Sequence, residues 1–142
     1  MIELEADGAA EVCTSFGRIG VKAEEVAREI RQRFPAATAV AGYPQGRVDL
    51  LLNATSLGLE PDDAMPLDEK KLPLKNVRAV CDIIYRPAET ALLRSARAAG
   101  CRTANGLGML LHQGALALEI WSGRPAPLET MRQALKKDVY GD

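Results

Sequence analysis

The sequence is poor in the residues that carry metal and nucleic-acid chemistry. It has one histidine and three cysteines in 142 residues. Cys13, Cys81 and Cys101 are odd in number and widely spaced, and two lie in apolar, strand-like runs. They read as reduced structural thiols, not as a disulfide framework or a zinc site. His112 lies next to Gln113 and so points about 100° away from it around a helix, which makes it a surface or packing residue. Eighteen basic residues against nineteen acidic ones leave a formal charge of −1, which gives no footprint for nucleic acid or anionic membrane. No apolar run reaches the ~20 residues of a membrane span, and the start Met1-Ile-Glu-Leu-Glu5 is too acidic for a signal peptide. The expectation is a cytoplasmic protein without metal, nucleic-acid or membrane partners. With 47% hydrophobic and 26% charged residues, the composition suits one domain, residues 1–142, with a genuine core.

Strand and helix patterns alternate along the chain. Residues 3–10 read as the tail of a helix ending near Gly8. Val12 to Phe16 reads as a short strand entering a glycine turn, Gly17-Arg-Ile-Gly20. Ala23, Val26, Ala27, Ile30 and Phe34 then recur at helical spacing, and Pro35 ends that helix. Thr38 to Ala41 is a short strand. Asp49 to Ser56 is a continuously apolar strand finishing in polar groups, as parallel strands covered on both faces tend to be. The charge run Asp68-Glu-Lys-Lys71 reads as a solvated loop or short helix. Val77 to Tyr85 is strand again, and Pro87 suits the first position of a helix with Leu92, Leu93, Ala96 and Ala99 inward and Gly100 closing it. Cys101 to Ala104 is a further strand. It feeds a helix ending at Gly123, followed by an amphipathic helix over about Pro127 to Lys137.

The helix after Asn105 is apolar almost all round, which predicts burial. Met109, Gln113, Leu116 and Ile120 share one of its faces, so one amide rides in an apolar stripe and needs partners. Strands separated by helices imply right-handed crossovers and an α/β fold, a truncated Rossmann-like, mostly parallel sheet with helices on both faces. Ligands in such sheets sit beyond the carboxyl ends of strands. That rule selects Ser15 to Arg18, Asn53 to Ser56, Tyr85, and Asn105 to Gly108, each of which is also an ordinary turn segment taken alone.

Asn53-Ala-Thr-Ser-Leu-Gly58, Cys81-Asp-Ile-Ile-Tyr-Arg-Pro87 and Asn105-Gly-Leu-Gly-Met-Leu-Leu-His-Gln113 stand in an order and spacing that resembles the shikimate dehydrogenases, and Glu119-Ile-Trp-Ser-Gly123 extends the match. The resemblance covers roughly Gly8 to Leu135. It is to the carboxyl-terminal, NADP-binding domain of a family that reduces 3-dehydroshikimate to shikimate. It implies that Asn53, Thr55 and Ser56 line the cofactor cleft, that Ile83 packs near the nicotinamide, and that Met109 pads the ring. Gly106 would let the backbone approach the nicotinamide amide. Tyr85 would offer its hydroxyl to the shikimate carboxylate, and Gln113 would hydrogen-bond substrate hydroxyls unless it is satisfied within the fold.

The departures from the family are as informative. The family's first strand and glycine-rich turn, which holds the pyrophosphate at a helix N-terminus, are not recognisable, and the chain is expected to begin just after them. Where the family reads the adenosine 2′-phosphate, this chain has Ser15-Phe-Gly-Arg18. Arg18 is either the phosphate partner or a solvated turn residue. No lysine and aspartate match the catalytic pair of the family's amino-terminal domain, and Lys70 or Lys71 beside Asp68 reads as surface charge. The chain thus carries half a site and is expected to bind NADP weakly or not at all alone.

Two functions follow: the cofactor side of an NADP-dependent shikimate dehydrogenase, or a non-catalytic remnant acting as an oligomerising or interaction module. Loss of a central strand would expose unpaired edges on two neighbours. Val12 to Phe16 is expected to shift or re-pair, or a homo-oligomer or the missing amino-terminal domain to compensate.

Overall fold

The computed structural model describes residues 11–14 and 20–141. The expected helix tail near Gly8 and the segment Ser15 to Arg18 lie outside the described residues. The elements are β1 (Glu11–Thr14), α1 (Gly20–Arg33), β2 (Thr38–Ala41), β3 (Val48–Asn53), β4 (Val77–Asp82), α2 (Ala91–Ala98), β5 (Arg102–Ala104), α3 (Leu107–Ser122) and α4 (Leu128–Tyr140), with a 3₁₀ turn at Leu74–Asn76. Their order is the alternation read from the sequence. Every strand pairing among the described residues is parallel, as an α/β fold of the Rossmann type requires.

The strands form two hydrogen-bonded sheets, β1-β2 and β3-β4-β5. Each belongs to its own compact unit: one holds β1, α1, β2 and Leu67–Pro73, the other Val48–Pro66 and everything described from Leu74 onward. In the first unit β1 pairs with β2 from Glu11↔Thr38 to Thr14↔Ala41. Helix α1 packs there through Ala23 and Ala27, small enough for close approach to the strands. Phe34, expected inward, follows the end of α1 and is exposed. The charge run is a surface feature: Asp68 and Lys71 make a loose 3.9 Å pair, and the Lys71 ammonium lies 5.3 Å from the centre of the Tyr43 ring.

The second unit carries the candidate site. Strand β4 lies between β3 and β5, so β3 is an edge strand. Helix α2 packs on β4 and β5, and Leu92, Leu93, Ala96 and Val80 are buried. Leu50 and Leu52, alternate residues on one face of β3, are exposed, so the expected cover on both faces of this strand is not found. Helix α2 also starts later than expected. Pro87 lies in the preceding loop, and Thr90 is the N-cap, its hydroxyl accepting from the Leu93 N–H at 3.3 Å. A hydroxyl cap satisfies an orphan helix donor, which a proline cannot do.

The expectation for α3 fails in the same direction. Only Leu107, Leu111 and Ala115, spaced by four, are buried. Leu116, Ile120 and Trp121 are 58%, 73% and 83% exposed, and Met109, His112 and Gln113 are exposed as well. The stripe that looked like core therefore faces outward, and the Gln113 amide reaches solvent. Helix α4 packs against α3, with Met131 Cε 3.8 Å from where a Cβ on Gly114 would lie. No helix among the described residues is long and apolar enough to cross a membrane.

Candidate functional site

The site begins where β3 and β4 end side by side, with Asn53 opposite Asp82 in the parallel register. Asp82 is fully buried, and a carboxylate there must be paired by hydrogen bonds to be tolerated. Three donors meet it. Asn53 Nδ2 and the Ile84 N–H donate to Oδ1 at 3.0 and 3.2 Å, and the Thr90 hydroxyl donates to Oδ2 at 2.7 Å. Thr90 at the same time caps α2, so one carboxylate joins the end of β3, the turn after β4 and the start of a helix.

Asn53 extends the network forward. Its second amide hydrogen reaches the Leu57 carbonyl at 3.1 Å, and its Oδ1 accepts from the Thr55 N–H at 3.2 Å and the Thr55 hydroxyl at 2.7 Å. The Thr55 oxygen in turn accepts from the Leu57 N–H at 3.2 Å. These are Asx-type and hydroxyl turns that replace the lost strand ladder with side-chain partners. Asp63 closes the next bend. Its Oδ2 accepts from the Glu60 and Gly58 N–H groups at 2.9 Å each, and these bonds hold its carboxyl below the ordinary range.

Above this base lies an open cleft of about 570 Å³ lined by Ala54, Thr55, Ser56, Leu59, Ile83, Ile84, Tyr85 and Arg86. It is largely apolar, with hydroxyls at Thr55, Ser56 and Tyr85 and one guanidinium. Such a surface can hold a flat, polar-edged ligand against the strand ends. Behind it Cys81 is half-buried, and burial pushes its thiol up, with the Asp82 charge adding to the effect. A thiol kept protonated suits the structural reading of the cysteines. Cys101 is pushed up by burial too, and its Sγ donates to the Leu74 carbonyl at 3.2 Å.

The structure thus brings together Thr55, Ser56, Ile83 and Tyr85 of the residues selected from sequence. Asn53 is beneath the cleft instead of on its wall, with its side chain committed to the network. Gly106 is buried, and its reason for being glycine is internal: a Cβ there would stand 1.8 Å from the Ile83 carbonyl oxygen. Its N–H donates to Ile84 O at 3.1 Å and its carbonyl accepts from the Leu110 N–H at 3.0 Å. Met109 and Gln113 sit on the exposed face of α3 and do not line the cleft. Arg18 lies outside the described residues.

Asp82 and Thr90 are the residues that sequence reasoning missed. The signal was present, since an acid inside the apolar run Val77 to Ile84 must find donors, and a threonine just before Leu92 and Leu93 is a natural cap.

Comparisons with known proteins agree with this fold. Residues 106–136 match a family model described as the Shikimate 5′-dehydrogenase C-terminal domain. The shikimate dehydrogenase (NADP(+)) of Desulforamulus reducens is 41% identical over 126 residues, covering 83% of this chain and 43% of that protein. Among solved structures, the Thermus thermophilus shikimate 5-dehydrogenase in complex with NADP(H) and shikimate superposes with a TM-score of 0.69 at 35% identity, over 89% of this chain and 45% of its own. The ligand-free 5-ketofructose reductase of Gluconobacter sp. strain CHM43 superposes with a TM-score of 0.73 at 37% identity, over 92% of this chain and 48% of its own. The chain spans less than half the length of each of these three. Over most of its residues the chain is thus similar to shikimate dehydrogenases, and over residues 106–136 to their carboxyl-terminal domain.

Proposed function

We propose that this chain forms the cofactor-side wall of an NADP-dependent shikimate dehydrogenase, the enzyme that interconverts 3-dehydroshikimate and shikimate. The observation that carries this reading is the Asp82–Asn53 network, which delivers Thr55, Ser56, Ile83 and Tyr85 to one cleft beyond the carboxyl ends of two adjacent parallel strands. The residues fit a dinucleotide's nicotinamide end: an apolar isoleucine for the ring, short hydroxyls for polar edges, and strand ends free of bulky side chains. Bound there, the reduced cofactor, NADPH, would supply the hydride for ketone reduction, and NADP⁺ would accept it in the reverse direction. Tyr85 lines this cleft, which supports the role the resemblance implies for it, a hydroxyl offered to the substrate's carboxylate. Gly106 acts here through the Ile83 backbone it packs against, and Met109, Gln113 and Arg18 remain assigned by resemblance.

Reduction of a ketone also needs a proton donor held against the substrate. Among the described residues lining the cleft there is no Lys, His, Asp or Glu. The chain's residues therefore bind and orient, and turnover requires an acid–base group from outside this wall. The test is shikimate-dependent reduction of NADP, followed by absorbance. No turnover by these 142 residues is expected, with activity appearing when the remaining half of a shikimate dehydrogenase is supplied in trans. Turnover by the chain alone would contradict the division of labour.

A second reading, an oligomerising or interaction module, is favoured by the exposed apolar residues of α3, Leu116 and Ile120 on one face and Trp121 about 100° further round. Trp121 is the sole tryptophan, so its emission reports on the carboxyl end of that helix. Red-shifted emission open to acrylamide at all protein concentrations would argue against self-association through α3. A concentration-dependent blue shift would favour it.

A further inference from the structure

The end of α4 reaches back to the site. Tyr140, in the last turn of α4, donates its hydroxyl proton to the Tyr85 carbonyl at 2.8 Å. The same oxygen accepts from Asn105 Nδ2 at 2.9 Å. Asn105 Nδ2 also donates to the Ala88 carbonyl at 2.9 Å, and Asn105 Oδ1 accepts from the Leu107 N–H at 3.2 Å, at the first residue of α3. The Arg86 guanidinium, part of the cleft lining, donates to the Asp138 and Val139 carbonyls at 3.3 and 3.2 Å. A cation on the last carbonyls of a helix is also favoured by the helix dipole.

These bonds tie three separate segments at one point: the loop carrying Tyr85 and Arg86, the turn carrying Asn105 and Gly106, and the carboxyl end of α4. A phenol is suited to the junction because it donates once and accepts at the same oxygen, which lets a single side chain serve a carbonyl and an amide. The first residues of the loop are fixed independently, Ile83 by the Asn53 carbonyl and Ile84 by Asp82 and Gly106, and the clasp holds the stretch that follows them. Strand β4 ends at Asp82, and α2 begins only at Ala91.

We infer that Tyr140 is a positioning residue, closing a clasp by which α4 sets the Tyr85 loop against the Gly106 turn. This rests on the reading of Tyr85 as a substrate-facing residue. The clasp does not touch the reacting atoms. It restricts where the Tyr85 backbone can lie, and through it the Tyr85 ring on the cleft wall.

The test compares wild type, Tyr140→Phe and Lys136→Ala, the last altering an exposed residue of α4. Tyr140→Phe keeps the ring and removes only the hydroxyl. Amide hydrogen exchange is expected to rise about tenfold at Ile84, Gly106 and Leu107, whose N–H groups are hydrogen-bonded beside the clasp, as the loss of one or two modest hydrogen bonds implies, with Val80 and Leu92 unchanged. Lys136→Ala should match wild type. Unchanged exchange in Tyr140→Phe would overturn the clasp, and a uniform rise across the whole unit would reduce it to ordinary stabilisation. The same proteins are then titrated with NADPH and with shikimate, in the presence of the remaining half of a shikimate dehydrogenase. The expected pattern is a severalfold loss of shikimate affinity with NADPH affinity retained. Equal affinities in wild type and Tyr140→Phe would overturn the positioning role. Wild type that binds neither ligand would sink the functional reading, and with it the positioning role, while the exchange data still decide whether the clasp exists.

Discussion

Gly106 sets two physical effects against each other, and replacing it by alanine shows which wins. Its backbone lies at φ −73°, ψ −5°, a conformation open to any residue. On that ground alone alanine should stabilise by about 0.4–1 kcal/mol, since it narrows the unfolded ensemble. The surroundings oppose this. The new Cβ would lie 1.8 Å from the Ile83 oxygen and 2.4 Å from its carbonyl carbon, both backbone atoms that cannot swing aside like a flexible side chain. To reach ordinary contact, the end of β4 and the start of α3 must separate by more than 1 Å, about the difference between 1.8 Å and a tolerable 3.0 Å or more. That movement breaks the 3.1 Å bond from Gly106 N to Ile84 O. Overpacking at about 1–3 kcal/mol and a lost hydrogen bond at about 1 kcal/mol outweigh the entropic gain, for a net loss of roughly 1–3 kcal/mol. Gly108, two residues further along in α3, has nothing within 4 Å of its virtual Cβ, so Gly108→Ala should stabilise by up to about 1 kcal/mol. Urea unfolding followed by circular dichroism measures both. A Gly106→Ala protein as stable as wild type would refute the steric argument and return Gly106 to a purely ligand-facing role.

Asp82→Ala strands the Asn53 amide and the Thr90 hydroxyl in a buried site and should cost about 2–5 kcal/mol, whereas Asp82→Asn keeps an oxygen for Asn53 and Ile84 and should cost much less. Equal losses in the two variants, measured by thermal unfolding, would show that the network is not what Asp82 supplies. The Asp63 carboxyl is depressed by the Glu60 and Gly58 N–H groups, so its contribution is present above the unfolded carboxyl value and is lost as pH falls through the folded one. Asp63→Asn should therefore flatten the acid side of the stability profile, below about pH 4, and lower stability at neutrality by the contribution that the carboxylate makes there. A larger loss in strong acid than at pH 7 would contradict that sign.

The order of elements was legible because each follows from local rules: helical spacing in α1, an apolar run in β3, a glycine past the end of α3. Burial was less so. Helix α3 is apolar almost all round, yet only Leu107, Leu111 and Ala115 are covered among the described residues, because periodicity reports what a helix could bury and not what stands beside it. The motifs pointed to the strand ends where the cleft lies, but roles within them shifted once partners were visible. Asn53 is consumed by Asp82, Leu57 and Thr55, and Gly106 is pinned by Ile83. Tyr140 carries no motif, and its part depends on a fold-back over 55 residues that no local pattern encodes.

The central claim is that the ends of β3 and β4 form a wall for NADP. Chemical-shift mapping of NADP⁺ onto isotope-labelled protein tests it directly, since it detects even millimolar binding and reports position. The account predicts saturable shifts at Thr55, Ser56, Ile83 and Tyr85, reduced by a bulky Ser56→Trp replacement. Shifts confined to other surfaces would contradict it, as would none at millimolar cofactor once the remaining half of a shikimate dehydrogenase is supplied.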